Sequence, residues 1–430
     1  MRKLLLPLVL ASCHVAALAD SAVPDPRIQE VLARVDPAAI QKYVEKLVSF
    51  GTRHTLSDTV SPTRGIGAAR RWIRSEMENC AARSAGRMTV SLDEHIRPAG
   101  GRTLQPVSVV NVVATLKGTA VPERVLVVSG HYDSRASDVR DSTGDAPGAN
   151  DDASGSAAVI AMACAFAPQA WPTTLVFMNV AAEEQGLWGA GHWAELASQQ
   201  HRNIIGMLNN DVIGSPLGDQ GQHNAMQVRL FASGGGDDTP TNQLGRYLKE
   251  AAESYLPGFQ VKLINRRDRF LRGGDHLPFL EHGFAAVRFT EPVENFSHQH
   301  QDVRIENGVQ LGDLPEFVDY GYVARVARAN AAGLASLALA PPPPEAVGIE
   351  VKELTNDTRL VWHASKSEPA ASYRIQWREP GFPQWQFSQD VGDVTAFTLK
   401  GVSKDNFVFG VAAVNATGQA SLPVFPQPLR

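Results

Sequence analysis

The chain reads as an α/β protein, a mainly parallel mixed sheet sandwiched between helices and followed by a small β-sandwich. Three observations predict this. Between residues 107 and 289, short runs rich in Val, Ile, Leu and Phe alternate with helix-like segments, the rhythm of a parallel sheet covered on both faces. After Pro341 to Pro344 the pattern changes to alternating segments separated by turn-rich stretches, as in a sandwich of antiparallel sheets. A length of 430 residues is also too great for one ordinary core.

Taken in order, the first element is a leader. Arg2 and Lys3 precede the apolar run Leu4 to Leu10, and Ala17-Leu18-Ala19 supplies small residues before Asp20, the pattern of a signal peptide over residues 1–19. Export to a periplasm or to the outside is the expectation. Leu10-Ala11-Ser12-Cys13 also has the form of a lipoprotein processing box, which ranks second because the apolar run before Cys13 is short. That run is well under the roughly 20 residues a membrane span needs, and no later stretch reaches that length, so no membrane span is expected.

The main domain is placed at 20–340. Helices are expected over 25–50 and 65–84, the latter with Ile66, Ala69, Trp72, Ile73 and Met77 on one face. Strands are expected at Val107 to Leu116, Arg124 to Ser129, Thr173 to Val180, Ile204 to Leu208 and Ala285 to Phe289, with helices at 152–166, 187–199 and 239–255 and a closing helix at 312–337. Pro341 to Pro344 is a stiff spacer. Beyond it, 345–430 holds Arg359 to Trp362, Ser372 to Trp377, Ala396 to Leu399 and Phe407 to Asn415 as strands.

Hydrophobic residues at 43%, charged residues at 20% and a formal net charge of -5 place the chain among soluble globular proteins. No basic stripe argues for a nucleic-acid partner. Without the leader only Cys80 and Cys164 remain, too few for a disulfide framework and without the spacing of a cysteine zinc site. Two separate, small buried side chains are preferred here over a single bridge, and any metal must use oxygen and nitrogen ligands.

The chemistry-bearing residues gather at strand ends. Gly130-His131-Tyr132-Asp133 follows a strand, and His131 and Asp133, two apart on an extended chain, point to the same side; an imidazole backed by a carboxylate is a common metal arrangement. Gly148-Ala149-Asn150-Asp151-Asp152 opens an apolar helix. One Asp there is accounted for by capping, and the second is not. Glu183-Glu184 ends a buried strand, where adjacent carboxylates repel unless cations neutralise them. Asn210-Asp211 ends the next strand in the same way, and His298 and His300 lie in the loop Glu291 to Asp302. Each motif alone has a bland explanation, but their convergence on the carboxyl edge of one sheet, where open α/β sheets build their sites, does not.

Together the series Gly130-His131-Tyr132-Asp133, Gly148-Ala149-Asn150-Asp151-Asp152, Glu183-Glu184-Gln185-Gly186, Asn210-Asp211 and a late His resembles the secreted bacterial di-zinc leucyl aminopeptidases, over roughly residues 40–335. The resemblance implies the zinc-dependent exopeptidase fold, two Zn²⁺ per chain and peptide substrates with a free N-terminus. It makes Asp151 the bridging ligand, gives His131 and Asp211 to one zinc and Glu184 and His298 to the other, makes Glu183 the general base, and sets Asp133 behind His131. His298 is favoured over His300 because it stands four residues before Asp302, as in that family. Four positive charges against three ligand carboxylates leave room for one bound hydroxide, the expected nucleophile. Where relatives often carry a tyrosine near the substrate carbonyl, the loop Arg266 to His276 has Arg267, Arg269 and Arg272.

The segment beyond residue 345 resembles a fibronectin type III module through Trp362, Tyr373 to Trp377 and Val411 to Asn415, with Phe407 standing where such modules usually carry a tyrosine; its partner is not indicated. Competing readings are a carboxypeptidase or glutaminyl cyclase on the same fold, or a non-catalytic binding protein. The Glu183-Glu184 pair with Asp151 favours two metals and hydrolysis, and the intact ligand set speaks against a dead site.

Overall fold

The computed structural model describes residues 24–235, 238–365 and 370–430; the leader and Cys13 lie outside them. The chain divides into two compact units, Pro24–Pro341 with Gln419–Leu422, and Pro342–Gly418 with Pro423–Arg430. No helix among the described residues is long and apolar enough to cross a membrane.

The larger unit opens with α1 (Pro26–Arg34), α2 (Pro37–Val48) and α3 (Gly65–Ala81). The single helix expected over 25–50 is therefore two. Pro37 has no N–H to give to a preceding turn and its ring would clash there, so it starts a helix instead, with the Asp36 side chain accepting from Ala38 N at 3.0 Å. Next come β1 (Met88–Arg97), β2 (Val107–Leu116), β3 (Val121–His131), α4 (Ala153–Phe166), β4 (Thr173–Val180), α5 (Trp188–Gln199) and β5 (Asn203–Asn210). After β6 (Gln227–Phe231), α6 (Pro240–Tyr255), β7 (Gln260–Ile264), α7 (His276–Glu281) and β8 (Ala286–Thr290), a small hairpin of β9 (Arg304–Glu306) and β10 (Val309–Leu311) leads to α8 (Tyr320–Leu339). That last helix starts later than expected. A 3₁₀ turn at Pro315–Phe317 intervenes, and Asp319 caps the helix by accepting from Tyr322 N.

The eight strands form one sheet in the order β1-β2-β4-β3-β5-β8-β6-β7. Its centre, β4-β3-β5-β8, is parallel, while β1, β2 and the β8–β6 junction are antiparallel. Successive side chains of the central strands go to opposite faces. Leu126 and Val128 of β3 and Leu175 and Phe177 of β4 join the core under α1 to α4, α6 and α8. Val127, Val176 and Met178 pack on the other face against Ala190, Trp193 and Ala194 of α5 and Phe279 of α7. Both faces are thus covered, which is why these strands read as unbroken apolar runs.

Cys80 of α3 and Cys164 of α4 are joined by a disulfide, which corrects the expectation of two separate thiols. Both cysteines lie on facing sides of packed helices with Cα atoms 4.5 Å apart, within bridging reach.

In the smaller unit, β11 (Glu345–Glu350), β12 (Thr358–His363), β15 (Ala396–Leu399) and β17 (Gln427–Leu429) form one sheet, and β13 (Ser372–Arg378), β14 (Phe387–Gly392) and β16 (Val408–Val414) another. Leu360, Trp362, Tyr373, Ile375, Phe409 and Val411 belong to a single apolar core shared by both sheets. Phe407 meets Phe387 and Phe409 edge-on, a ring contact in place of a hydroxyl bond.

Candidate metal centre

The site is assembled where β3, β4, β5 and β8 end. Gly130 and Gly155 let the end of β3 lie directly on the start of α4, because a Cβ at Gly130 would come within 2.5 Å of the Gly155 carbonyl carbon. Asp152 caps α4 and its other oxygen accepts from His131 N at 3.0 Å, while Ser156 Oγ donates to the His131 carbonyl at 2.9 Å. His131 and Asp151 are fixed side by side in this way. The peptide between Asp151 and Asp152 is cis.

Asp151 lies between two imidazoles. Its Oδ1 is 3.1 Å from His131 Nε2 and its Oδ2 is 2.9 Å from His300 Nε2. On the first side Asp211 Oδ1 stands 3.8 Å from His131 Nε2; on the second, Glu184 Oε1 is 2.9 Å from His300 Nε2. Potential ligand atoms of His131, Glu183 and Asp211 lie within 4.8 Å of one another, and so do those of Asp151, Glu184 and His300. His131 Nε2 is buried without a hydrogen-bond partner and faces only carboxylate oxygens. Imidazole nitrogens and carboxylate oxygens in two such groups suit two zinc ions, so the residues fit the expected metal pair.

Asp133 braces the cluster from behind. Its carboxylate is 3.5 Å from His131 Nδ1, and its two oxygens accept from the backbone N–H of Glu183 and of Glu184 at 3.1 and 3.2 Å. One side chain therefore sets the ends of both β3 and β4. Arg288, fully buried on β8, holds Asp211 at 2.7 Å and Asp268 at 3.1 Å. Arg53, also fully buried, donates to the carbonyls of Leu47, Tyr132, Pro147 and Gly148 at 2.6 to 3.2 Å, so the loop that presents Asp151 is tied to β3. Asp313 supports the same loop by accepting from the N–H groups of Asn150 and Asp151.

The buried charges of the cluster shift one another. Burial pulls His300 down, but Glu184 and Asp151 outweigh it and lift the imidazole to about 9. His131 rises well above its ordinary value, burial again being outweighed, by Glu183 and the bonded carboxylates. Glu183 is pushed well up by burial, against the pull of His131 and helped by Asp211 and Glu184. Burial lifts Asp275, whose two oxygens have no hydrogen-bond partner, to about 7.

Of the residues singled out in the sequence, His131, Asp133, Asp151, Glu183, Glu184 and Asp211 are brought together; His298 is not. The correction has a local cause. The N–H groups of His298 and Gln299 both bond to the Asn295 carbonyl, and this turn sends His298 away to stack on Phe317 with ring centres 3.7 Å apart. Gln299 and His300 face the cluster instead, Gln299 donating to Asp151 at 2.9 Å. The four-residue interval to Asp302 is misleading because Asp302 caps another loop, accepting from Ser137 N. Arg135 was missed altogether: it bonds Glu184 Oε2 at 2.9 Å and His300 Nδ1 at 2.6 Å. The alternation His131, Asp133, Arg135 after a strand was the signal for it.

The site opens into a cavity of about 330 Å³ lined by Glu183, Glu184, Asp151, Asp211 and His300, with arginines in its wall. Against known proteins, the model of peptidase family M28 matches residues 111–310. A probable zinc metalloprotease of Leptosphaeria maculans is 46% identical over 422 residues, covering 94% of this chain and 98% of that protein. Among solved structures, the LapA aminopeptidase of Legionella pneumophila matches with a TM-score of 0.57 and 19% identity over 80% of this chain and 81% of that one. The glutaminyl cyclase of Porphyromonas gingivalis matches at 0.52 and 14%, over 70% and 97%. The two structures speak to the fold, and they agree on a mixed sheet flanked by helices.

Proposed function

The chain belongs to peptidase family M28, and from that premise we propose that it is an aminopeptidase using two zinc ions to remove N-terminal residues from peptides. The observation that carries this reading is Asp151, with one oxygen toward His131 and the other toward His300, the posture of a ligand shared by two ions. One ion would be held by His131, Asp151 and Asp211, the other by Asp151, Glu184 and His300. Bound there, zinc supplies Lewis acidity toward the scissile carbonyl and toward the attacking water. The protein's share is proton handling and placement. Glu183 lines the cavity and its carboxylate makes no hydrogen bond among the described residues, so it can take the proton from the water and deliver it to the departing amine. Asp133 keeps the His131 ring turned with Nε2 inward.

The disulfide between Cys80 and Cys164 supports export, since such bonds persist in oxidising compartments, and the leader at 1–19 would supply the route. For the smaller unit, two sheets about one Trp362-centred core support a fibronectin type III-like module. A carboxypeptidase is the second reading, favoured by the arginines of the cavity wall. Zinc stoichiometry together with cleavage of free-amine and N-acetylated peptides separates the two. The proposal expects two ions, activity lost on chelation and regained with zinc, and hydrolysis restricted to free amines; cleavage of N-acetylated peptides alone would overturn it.

A further inference from the structure

The wall of the catalytic cavity carries charge that the metal cluster does not use. Arg102, Arg135, Arg269 and Arg272 all line it, and its carboxylates, Asp151, Glu183, Glu184 and Asp211, all belong to the cluster. Two of the arginines are committed. Arg135 is bonded to Glu184 and His300, and Arg269 to Asp268 and Glu294 at 3.2 and 2.8 Å.

Arg102 and Arg272 are different. Arg102 donates to the neutral carbonyl of Glu184, and among the described residues no carboxylate lies within ion-pair distance of it. Arg272 donates to the Gln299 side-chain oxygen at 2.6 Å. Its nearest carboxylate, Glu294 at 3.7 Å, is already bonded by Arg229 and Arg269 at 2.7 and 2.8 Å. Arg102 thus brings charge without a carboxylate partner among the described residues, Arg272 has only a share in Glu294, and two divalent ions would make the sign of this small space still more positive. The apolar side chains in the lining are Leu187 and Leu271, and Leu271 is fully exposed. A large hydrophobic residue finds little to bury against there, whereas a carboxylate finds the forked donors that suit it.

We propose that this cavity selects substrates with a carboxylate beside the scissile bond, read by Arg272 and Arg102. The proposal rests on the hydrolase reading given above. The carboxylate has two possible sources, an acidic side chain on the cleaved residue or the α-carboxylate of a dipeptide.

Matched pairs separate them in the zinc-loaded full-length protein. Glu against Gln p-nitroanilide isolates the side chain, and Leu-Gly against Leu-Gly amide isolates the terminus, each also prepared N-acetylated. Binding of glutamate against glutamine, and of Leu-Gly against its amide to the Glu183→Gln protein, is measured by calorimetry, so that a readout exists without turnover. In at least one pair the carboxylate member should be preferred by about 10- to 100-fold in kcat/KM and in Kd, the range of a hydrogen bond to a charged group. Arg272→Gln should reduce that ratio about tenfold, with Arg272→Lys restoring part of it; Arg102→Gln serves as the second variant. Equal or reversed preference in both pairs, or a ratio unmoved by both Gln variants, overturns the proposal. Failure of the aminopeptidase reading looks different: only acetylated substrates are cleaved, or none, while the ratio in binding persists.

Discussion

Glu183 and Glu184 are chemically alike and adjacent, yet the proposed function gives them different work, and isosteric replacement by Gln tests the difference. In Glu183→Gln the backbone N–H still bonds to Asp133, and because the carboxylate makes no hydrogen bond among the described residues, the substitution breaks no protein contact. What it removes is a proton acceptor. General base catalysis contributes about 10²- to 10⁴-fold, about 2.7 to 5.5 kcal/mol of barrier at 1.36 per tenfold, so kcat should fall by that factor with both ions still bound. Glu184→Gln acts on the structure. It dismantles contacts to Arg135 and His300, each at 2.9 Å, and breaking such a buried pair costs about 3 to 5 kcal/mol, with the second ion lost first. The assay is zinc content by mass spectrometry beside steady-state turnover, for both variants, under conditions where the parent holds two ions. The ligand atoms of Glu183 also lie within 4.8 Å of those of His131 and Asp211, so depleted zinc in Glu183→Gln would make it a ligand, and near-parental turnover would end its role as base.

Three further outcomes follow. His300→Ala should lose an ion and activity, whereas His298→Ala, giving up only its stack on Phe317, should keep both and lose about 1 kcal/mol of stability; the reverse pattern in zinc content would restore the assignment to His298. Burial tends to raise Asp268, but Arg288, His276 and Arg269 hold it well below the usual carboxylate range. Its contribution to stability is therefore present above an unfolded value of about 3.9 and lost as pH falls through the depressed folded value. Asp268→Asn should cost about 3 kcal/mol at pH 7, and denaturation curves for parent and variant should draw together below about pH 4; a gap that widens in acid contradicts this. Since the disulfide joins residues 84 apart, Cys80→Ser should lower stability by about 4 to 5 kcal/mol on loop entropy, and a melting temperature insensitive to both the substitution and reductant would show the bond is not formed.

The legible parts of the fold were those where burial leaves a composition signal. β2 and β4 are apolar because they are covered on both faces, and their expected limits match the observed ones. β1 was missed for the complementary reason: on the sheet edge, with Asp93, Glu94 and His95 in its run, it owes its form to the ladder with β2 and not to its own pattern. β6 and β7, no shorter than the wholly buried β8, carry Gln227, Arg229, Gln260 and Lys262 within their five residues and so leave no unbroken apolar run. In the site, residues at strand ends or at the helix cap were readable because their positions follow from the sheet. His300 and Arg102 lie on loops, whose course is set by contacts such as Asn295 with Gln299 that no local rule encodes.

Arg53 leads to a different kind of consequence. Burial lowers it to about 10, so at neutral pH it stays charged, and its bonds run to backbone carbonyls, not to any group that would bind zinc. The frame around the metal cluster is therefore fastened by a cation that belongs to the chain and cannot dissociate. Unlike small zinc domains that fold only on their ion, a protein framed in this way should keep its fold when chelated, and a thermal melt that collapses on chelation would contradict this.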